Sequence, residues 1–300
     1  ENSVFYYTHG DNDAIDYDAV DTGVIRNNAL YGGDDDGLDI GQINNIPCQD
    51  VILENNTVSG FLDKGISIGE GSQNINILYN VITDSQMGIA VKDSSTALID
   101  HNTLYKNDVG ISCYEKNTGE GGGVAFVSHT IISESIISSL FEDYVSDISV
   151  KYSLSDMDSL DGDNNIIDLP QFRSPLNNDF YLTPSSPCIN SGDPDYMKDK
   201  DGTITDIGAF YYEDFFKVII YPNPAVKELH LRILDELTQI SNIRIYNING
   251  VLVEEFNNIN DNQTQIILTN LKKTGIYLIQ IYDMNDRQVG KRIIYVGLED

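Results

Sequence analysis

The chain has 300 residues, 18 of them basic and 47 acidic, for a formal net charge of −29. So acidic a balance excludes nucleic acid as a partner, because phosphate binding needs clustered Lys and Arg. No apolar run reaches the length of a membrane helix, so no membrane-spanning segment is predicted.

The first half repeats itself. One unit reads Ala14-Ile15-Asp16-Tyr17, Gly37-Leu38-Asp39-Ile40, Gly65-Ile66-Ser67-Ile68, Gly88-Ile89-Ala90-Val91 and Gly110-Ile111-Ser112-Cys113, with starts 23, 28, 23 and 22 positions apart. Between these copies an apolar residue follows two places after Asn28, Asn56, Asn80 and Asn102, and His129-Thr130-Ile131 reads as a degenerate copy with His129 in the Asn place. A period in this range predicts a solenoid. Short alternating strands, such as Val51-Ile52-Leu53, Ile75-Asn76-Ile77 and Ala97-Leu98-Ile99, cannot bury a face alone but can stack coil on coil in parallel. The Asn column then predicts an amide ladder, with each Asn in a left-handed bend. The chain opens in mid-repeat at Glu1 without a signal peptide, so it is expected to be a piece of a longer protein.

These repeats resemble the right-handed parallel β-helix of the pectate-lyase-like superfamily over residues 1–170. The predicted fold class is all-β, a β-helix solenoid followed by a small Ig-like β-sandwich. Cys48, Cys113 and Cys188 show no metal-ligand spacing. Cys113 reads as a buried thiol, with one disulfide left open. A loop is expected at Lys116 to Gly123.

Residues 171–217 read as a closing segment and linker. The phrase from Ser186 to Pro194, then Asp199 to Phe210, resembles the tail that closes many bacterial surface β-helices. Within it Asp199, Asp201 and Asp206 around Gly202 resemble the start of a Ca²⁺ loop, with Asp193 and Asp195 upstream. A plain polar Gly turn is the competing reading.

Residues 218–300 alternate as strands: Leu229, Leu231 and Ile233, then Ile243 and Ile245, Ile266-Ile267-Leu268, Gly275 to Ile279 and Arg292 to Val296. Asn249-Gly250 predicts a hairpin. The charge drops here as well. The net charge is −27 before Val218 and −2 from there on. The phrases YPNPA, IYNINGVLV, LKKTGIYLIQIYD and GKRIIYV resemble a type IX secretion C-terminal sorting domain, type A. That resemblance implies a Gram-negative host of the Bacteroidota type. It also implies recognition by the type IX secretion translocon, cleavage by its C-terminal signal peptidase, and a final location that is secreted or on the outer-membrane cell surface.

Aligned on the repeat, three columns carry charge. They are Asn12, Asp35, Asp63 and Gln86; Asp13, Asp36, Lys64 and Met87; and Asp16, Asp39, Ser67 and Ala90. Coils about 4.8 Å apart bring like charges together, which must be bridged, protonated or splayed. A solvated acidic rim, a Ca²⁺ site and a carbohydrate-active site are the three readings. In the third, Asp13, Asp36 and Lys64 are the catalytic candidates, and Asp16, Asp39, Asp63, Glu70 and Lys92 contact substrate. The paired Asp phrases resemble polygalacturonase-type hydrolases, but the Gly-His-Gly and Arg-x-Lys phrases of that family are missing. Lyases on this fold use Ca²⁺ with a Lys or Arg base, a role open to Lys64 or Lys92. A lysine beside acids has its pKa raised and makes a poor base. The histidines, His9, His101, His129 and His230, show no metal spacing, and His101 and His129 read as structural. The expected function is a surface β-helix protein that binds extracellular glycan, with Ca²⁺ as the candidate stabilising ion. A lyase or glycosidase and a structural adhesin are the alternatives.

Overall fold

The computed structural model describes residues 1–10, 12–212, 218–225, 228–233, 240–257, 263–267, 274–283 and 288–297. The expected linker end at 213–217, Leu268 and the start of the LKKTG phrase lie outside the described residues. The chain forms two compact units, Glu1–Tyr212 and Glu213–Asp300.

The first unit is a right-handed parallel β-helix with three sheets. The first sheet stacks Val4–Thr8, Ala29–Gly33, Thr57–Phe61, Val81–Thr83, Thr103–Tyr105, Ile131–Ser133, Leu154–Ser155 and Ile166–Ile167. The second stacks Ile15–Asp18, Leu38–Ile43, Lys64–Ile68, Met87–Lys92, Val109–Tyr114 and Ser138–Glu142. The third stacks Asp21–Arg26, Gln49–Glu54, Ile75–Leu78, Thr96–Asp100, Val124–Ser128 and Asp147–Lys151. Alternation sends every second side chain inward. Leu30, Val58, Ile82, Leu104 and Ile132 form one buried row, and Leu38, Ile66, Ile89 and Ile111 form another. Burying such a side chain contributes about 1.5–3 kcal/mol, so these rows supply most of the cohesion between coils.

The glycine that opens each repeat has a steric cause. A Cβ on Gly37 would meet the Gly65 carbonyl oxygen at 2.6 Å, on Gly65 that of Gly88 at 2.8 Å, and on Gly88 that of Gly110 at 2.6 Å. Only glycine lets adjacent coils close at that corner.

The amide ladder forms as expected. Asn28 donates to Asn56, Asn56 to Asn80 and Asn80 to Asn102, each Nδ2 to Oδ1 at 3.0 Å. Two details differ from the sequence reading. Thr130, not His129, continues the ladder, accepting from the Asn102 backbone N–H at 3.3 Å, and Ser153 and Asn165 extend it. The left-handed residue is also one place earlier, at Asn27, Asn55, Tyr79, His101, His129, Tyr152 and Asn164, with φ between 45° and 60°. The bend residue turns its side chain away from the core, which leaves the inward place to the amide that can bond between coils. All three cysteines are buried and free. The loop after Tyr114 is anchored by Asp93, which accepts from the backbone of Lys116 and Asn117 at 2.7 and 2.8 Å.

Residues 171–212 belong to the same compact unit. Phe172–Ser174 and Asp179–Leu182 pair antiparallel. Phe172 and Phe180 pack edge-on against Tyr105, and the Ala209 N–H donates to Thr103 Oγ1 at 3.0 Å. This segment therefore covers the outer face of the first sheet from the fourth coil onward. Ile131, Leu154, Leu182, Cys188 and Ile207 form the core beneath it.

The second unit is a small sandwich. Val218–Tyr221, Glu228–Ile233 and Gln263–Ile267 make one antiparallel sheet. Ile240–Asn247, Leu252–Asn257, Gly275–Asp283 and Gln288–Val296 make the other. Leu229, Leu231, Ile243, Ile245, Ile279, Ile281 and Ile294 fill the space between them. The Asn249-Gly250 turn joins two paired strands, with Gly250 at φ 75°.

Candidate functional site

The charged columns meet where the chain turns from the first sheet into the second. There each carboxylate serves the next coil. Asp13 Oδ1 accepts the Asp36 N–H at 3.0 Å, and Asp36 Oδ1 accepts the Lys64 N–H at 2.9 Å. The Asp13–Asp36–Lys64 column is therefore held by backbone donors, which explains why an acid can sit at 4% exposure. Lys64 Nζ lies 3.2 Å from Asp36 and also contacts Asp63. Burial alone would push the Lys64 ammonium down. The two carboxylates outweigh that effect and hold it well above its ordinary range. Lys64 is thus a fixed cation, as the sequence suggested, and unsuited to act as a base.

The second column is less satisfied. Asp16 pairs in register with Asp39, Asp39 with Ser67, and Ser67 with Ala90. Carboxylate oxygens of Asp13, Asp16 and Asp39 lie within 4.8 Å of one another, as do those of Asp13, Asp35 and Asp36. Burial and the Asp39 charge push the Asp13 carboxyl up to about 7. Burial, with Asp18, Asp39 and Glu70 alongside, also raises Asp16. Glu70 joins this face, its Oε2 accepting the Gln42 N–H at 3.0 Å across Gly41, where a Cβ would come within 3.2 Å of that oxygen.

Lys92 is the counterpart of Lys64 in burial, at 3% exposure, but not in pairing. It stands at the far end of its strand, in register with Tyr114. Its side chain lies back over Gly69, where a Cβ would meet Lys92 Cε at 2.9 Å. It makes no ion pair within 4.0 Å among the described residues, and burial pushes its ammonium below the ordinary range against the pull of Asp39. The Ser67 hydroxyl, beside Asp39, is fully buried and has no hydrogen-bond partner. Tyr114, which the charge pattern did not single out, is raised mainly by burial and shares the field of Lys64, Asp63 and Asp36.

Asp199, Asp201 and Asp206 are placed differently. Asp199 accepts from the Asp206 N–H, Asp201 from the Thr203 N–H, and Asp206 from the Asn190 and Tyr212 N–H groups. Their carboxylates shape the closing loop and are not among the clusters with converging oxygens.

One group of residues went unnoticed as a cluster. Asp100, His101 and His129 are buried together under Tyr196. Asp100 Oδ1 accepts from His129 Nδ1 and Ser128 Oγ at 2.7 Å each, and Oδ2 accepts from the Tyr196 hydroxyl at 2.8 Å. Burial works against ionisation of Asp100, but His101, His129 and Ser128 overrule it and hold the carboxyl far below its usual range. The rings of Tyr79, His101, His129 and Tyr152 stack in succession along the coils. The column was readable in principle, since these four residues all precede a ladder position.

The comparisons agree with the fold. Residues 1–131 match the family model for a right-handed beta helix region, and residues 219–295 match that for a secretion system C-terminal sorting domain. Solved structures match at low similarity. PorZ, a surface component of the type-IX secretion system of Porphyromonas gingivalis, is 17% identical with TM-score 0.23, over 33% of this chain and 14% of that one. The catalytic unit of a GH87 α-1,3-glucanase from Streptomyces thermodiastaticus is 16% identical with TM-score 0.35, over 54% and 42%. Pectate lyase Pel9A is 10% identical with TM-score 0.28, over 62% and 73%. The chain thus spans less than half the length of the first two. Among curated proteins, none matches the sequence. Fold and tail together define the class, a β-helix protein with a C-terminal sorting domain. The chain carries a right-handed parallel β-helix and a type IX sorting domain, which marks it for secretion or cell-surface display. No described helix is long and apolar enough to cross a membrane.

Proposed function

We propose that the β-helix binds an extracellular acidic polysaccharide through Ca²⁺ held on the second sheet. One observation carries this reading: Asp13, Asp16 and Asp39 converge, and among the described residues no cation pairs with any of them within 4.0 Å. Carboxylate oxygens suit Ca²⁺, and the orphaned Ser67 hydroxyl adds a neutral oxygen beside Asp39. The bound ion would neutralise the acids and accept sugar carboxylates, which the bare acidic face would repel. The test is retention of the full chain on insoluble polygalacturonate with Ca²⁺ and with chelator. Ca²⁺-dependent retention that Asp39→Asn abolishes supports the reading. Equal retention in chelator, or none in either, removes it.

A second reading rests on Lys92. Burial lowers the Lys92 pKa, the direction a general base needs, and the side chain lies in the field of Asp39 and Asp36. In a β-elimination Lys92 would take the C5 proton beside the sugar carboxylate, the C4–C5 double bond would form as the C4–O bond breaks, and solvent water would protonate the departing oxygen. Ultraviolet absorbance of an unsaturated uronate product, formed by wild type and lost in Lys92→Met, would establish it.

A further inference from the structure

The buried Asp100–His101–His129 group is unrelated to the charged corner and ties distant parts of the chain together. Three bonds join it to the closing segment. The Asp193 N–H donates to His129 Nε2 at 3.0 Å, the Tyr196 hydroxyl donates to Asp100, and Thr205 Oγ1 lies 2.9 Å from His101 Nε2. The Gly208 N–H also donates to the His129 carbonyl at 2.8 Å.

Donor bookkeeping separates the two histidines. A backbone N–H can only donate, so His129 Nε2 is a lone pair and its proton sits on Nδ1, facing Asp100. In the docked state His129 is therefore neutral. His101 is placed otherwise. The Thr205 hydroxyl donates to Asp199 Oδ1 at 3.3 Å and is left to accept from His101 Nε2. His101 Nδ1 lies 3.1 Å from Asp100 Oδ2, outside hydrogen-bond geometry but facing an acceptor. His101 can hold two protons without losing a contact, and His129 cannot. The same bookkeeping argues against a metal ion on these three residues. A metal-bound imidazole donates from its other nitrogen, and at His129 that nitrogen already faces a donor.

We propose that residues 190–205 form an acid-released strap with His129 as its trigger. A second proton on His129 sets an N–H against the Asp193 N–H and ejects that part of the segment. Asp100 and His101 face His129 on one side, the latter stacked at 4.5 Å, and Tyr152 on the next coil; Asp193, itself 3.7 Å from Lys151, and Tyr196 come from the strap.

Hydrogen exchange on the full chain, corrected for intrinsic rates, tests the strap. As pH falls through the range where histidine takes its second proton, residues 190–205 should lose protection while Val81–Thr83 keep theirs. His129→Gln, whose amide oxygen can accept the Asp193 N–H, should remove that pH dependence. Protection that is constant with pH, joint loss across both segments, or unchanged behaviour in His129→Gln would overturn the proposal. Should His129→Gln fail to fold, ¹⁵N shifts of the wild-type rings decide: an unprotonated Nε2 on His129 at neutral pH supports it, and a protonated one ends it.

Discussion

The β-helix holds two clusters of acid and base, and they are solved in opposite ways. At Asp100 every strong neighbour is a donor, so the carboxylate is stabilised as a charge and the group is sealed under Tyr196. At Asp13, Asp16 and Asp39 donors are few, and burial together with the neighbouring acids penalises the charged forms of Asp13 and Asp16. A satisfied cluster contributes stability. An unsatisfied one gives up stability and gains an affinity for cations. The contrast teaches that charge density alone does not mark a binding face, whereas the balance of donors against acids does.

The largest expected effect falls on the corner residue that behaves like the sealed cluster. Lys64→Met leaves Asp36 buried without its counter-ion, which should cost about 3–5 kcal/mol in the denaturant midpoint of the β-helix transition. The double change Lys64→Met with Asp36→Asn should recover most of it. Next comes Asp100→Asn, which weakens the acceptor shared by His129, Ser128 and Tyr196 and should cost about 2–3 kcal/mol. If Asp39→Asn cost as much in chelator, the contrast between the clusters would fail. It should instead leave cation-free stability unchanged or raised.

Much of this was readable beforehand, and the misses have physical causes. The repeat, the parallel stacking and the Asp13–Asp36–Lys64 column follow from a fixed period, because parallel register carries each coil position onto the next. His129 was misplaced because the repeat drifts where Thr130 replaces Asn, and only the inter-coil bond shows which residue points inward. The difference between Lys64 and Lys92 was invisible, since both lie on adjacent coils near acids. It depends on which end of the strand each occupies and on the bare surface of Gly69. The cover over the Asp100 cluster depends on contacts about a hundred residues apart, 96 for Tyr196 to Asp100 and 104 for Thr205 to His101, which no local pattern encodes.

The pH response should separate the clusters more finely. Asp13 is raised from 3.8 to about 7 in the folded chain, so the folded state binds that proton more tightly than the unfolded one. Its contribution is full below 3.8 and is lost as pH rises through about 7. Without Ca²⁺, stability should therefore fall over that window, and Asp13→Asn should flatten the slope. Ca²⁺ should do the same in wild type by replacing the proton. Thermal melts across pH, with and without chelator, measure this. A slope that Ca²⁺ leaves untouched would place the ion elsewhere. Asp100 is lowered, and its contribution persists until far more acidic pH.

The smallest expected effect is the most discriminating. Lys92 is buried about as deeply as Lys64 but has no ion pair within 4.0 Å among the described residues, so the pull of Asp39 offsets only part of its desolvation. Lys92→Met, which keeps the stem over Gly69 and drops the ammonium, should change stability by less than about 0.5 kcal/mol or raise it slightly. That outcome would assign the Lys92 amine to something other than folding. If Lys92→Met instead destabilised as much as Lys64→Met, Lys92 would be a structural counter-ion for Asp39. The acid corner would then resemble the Asp100 cluster after all, with its charge balanced from within.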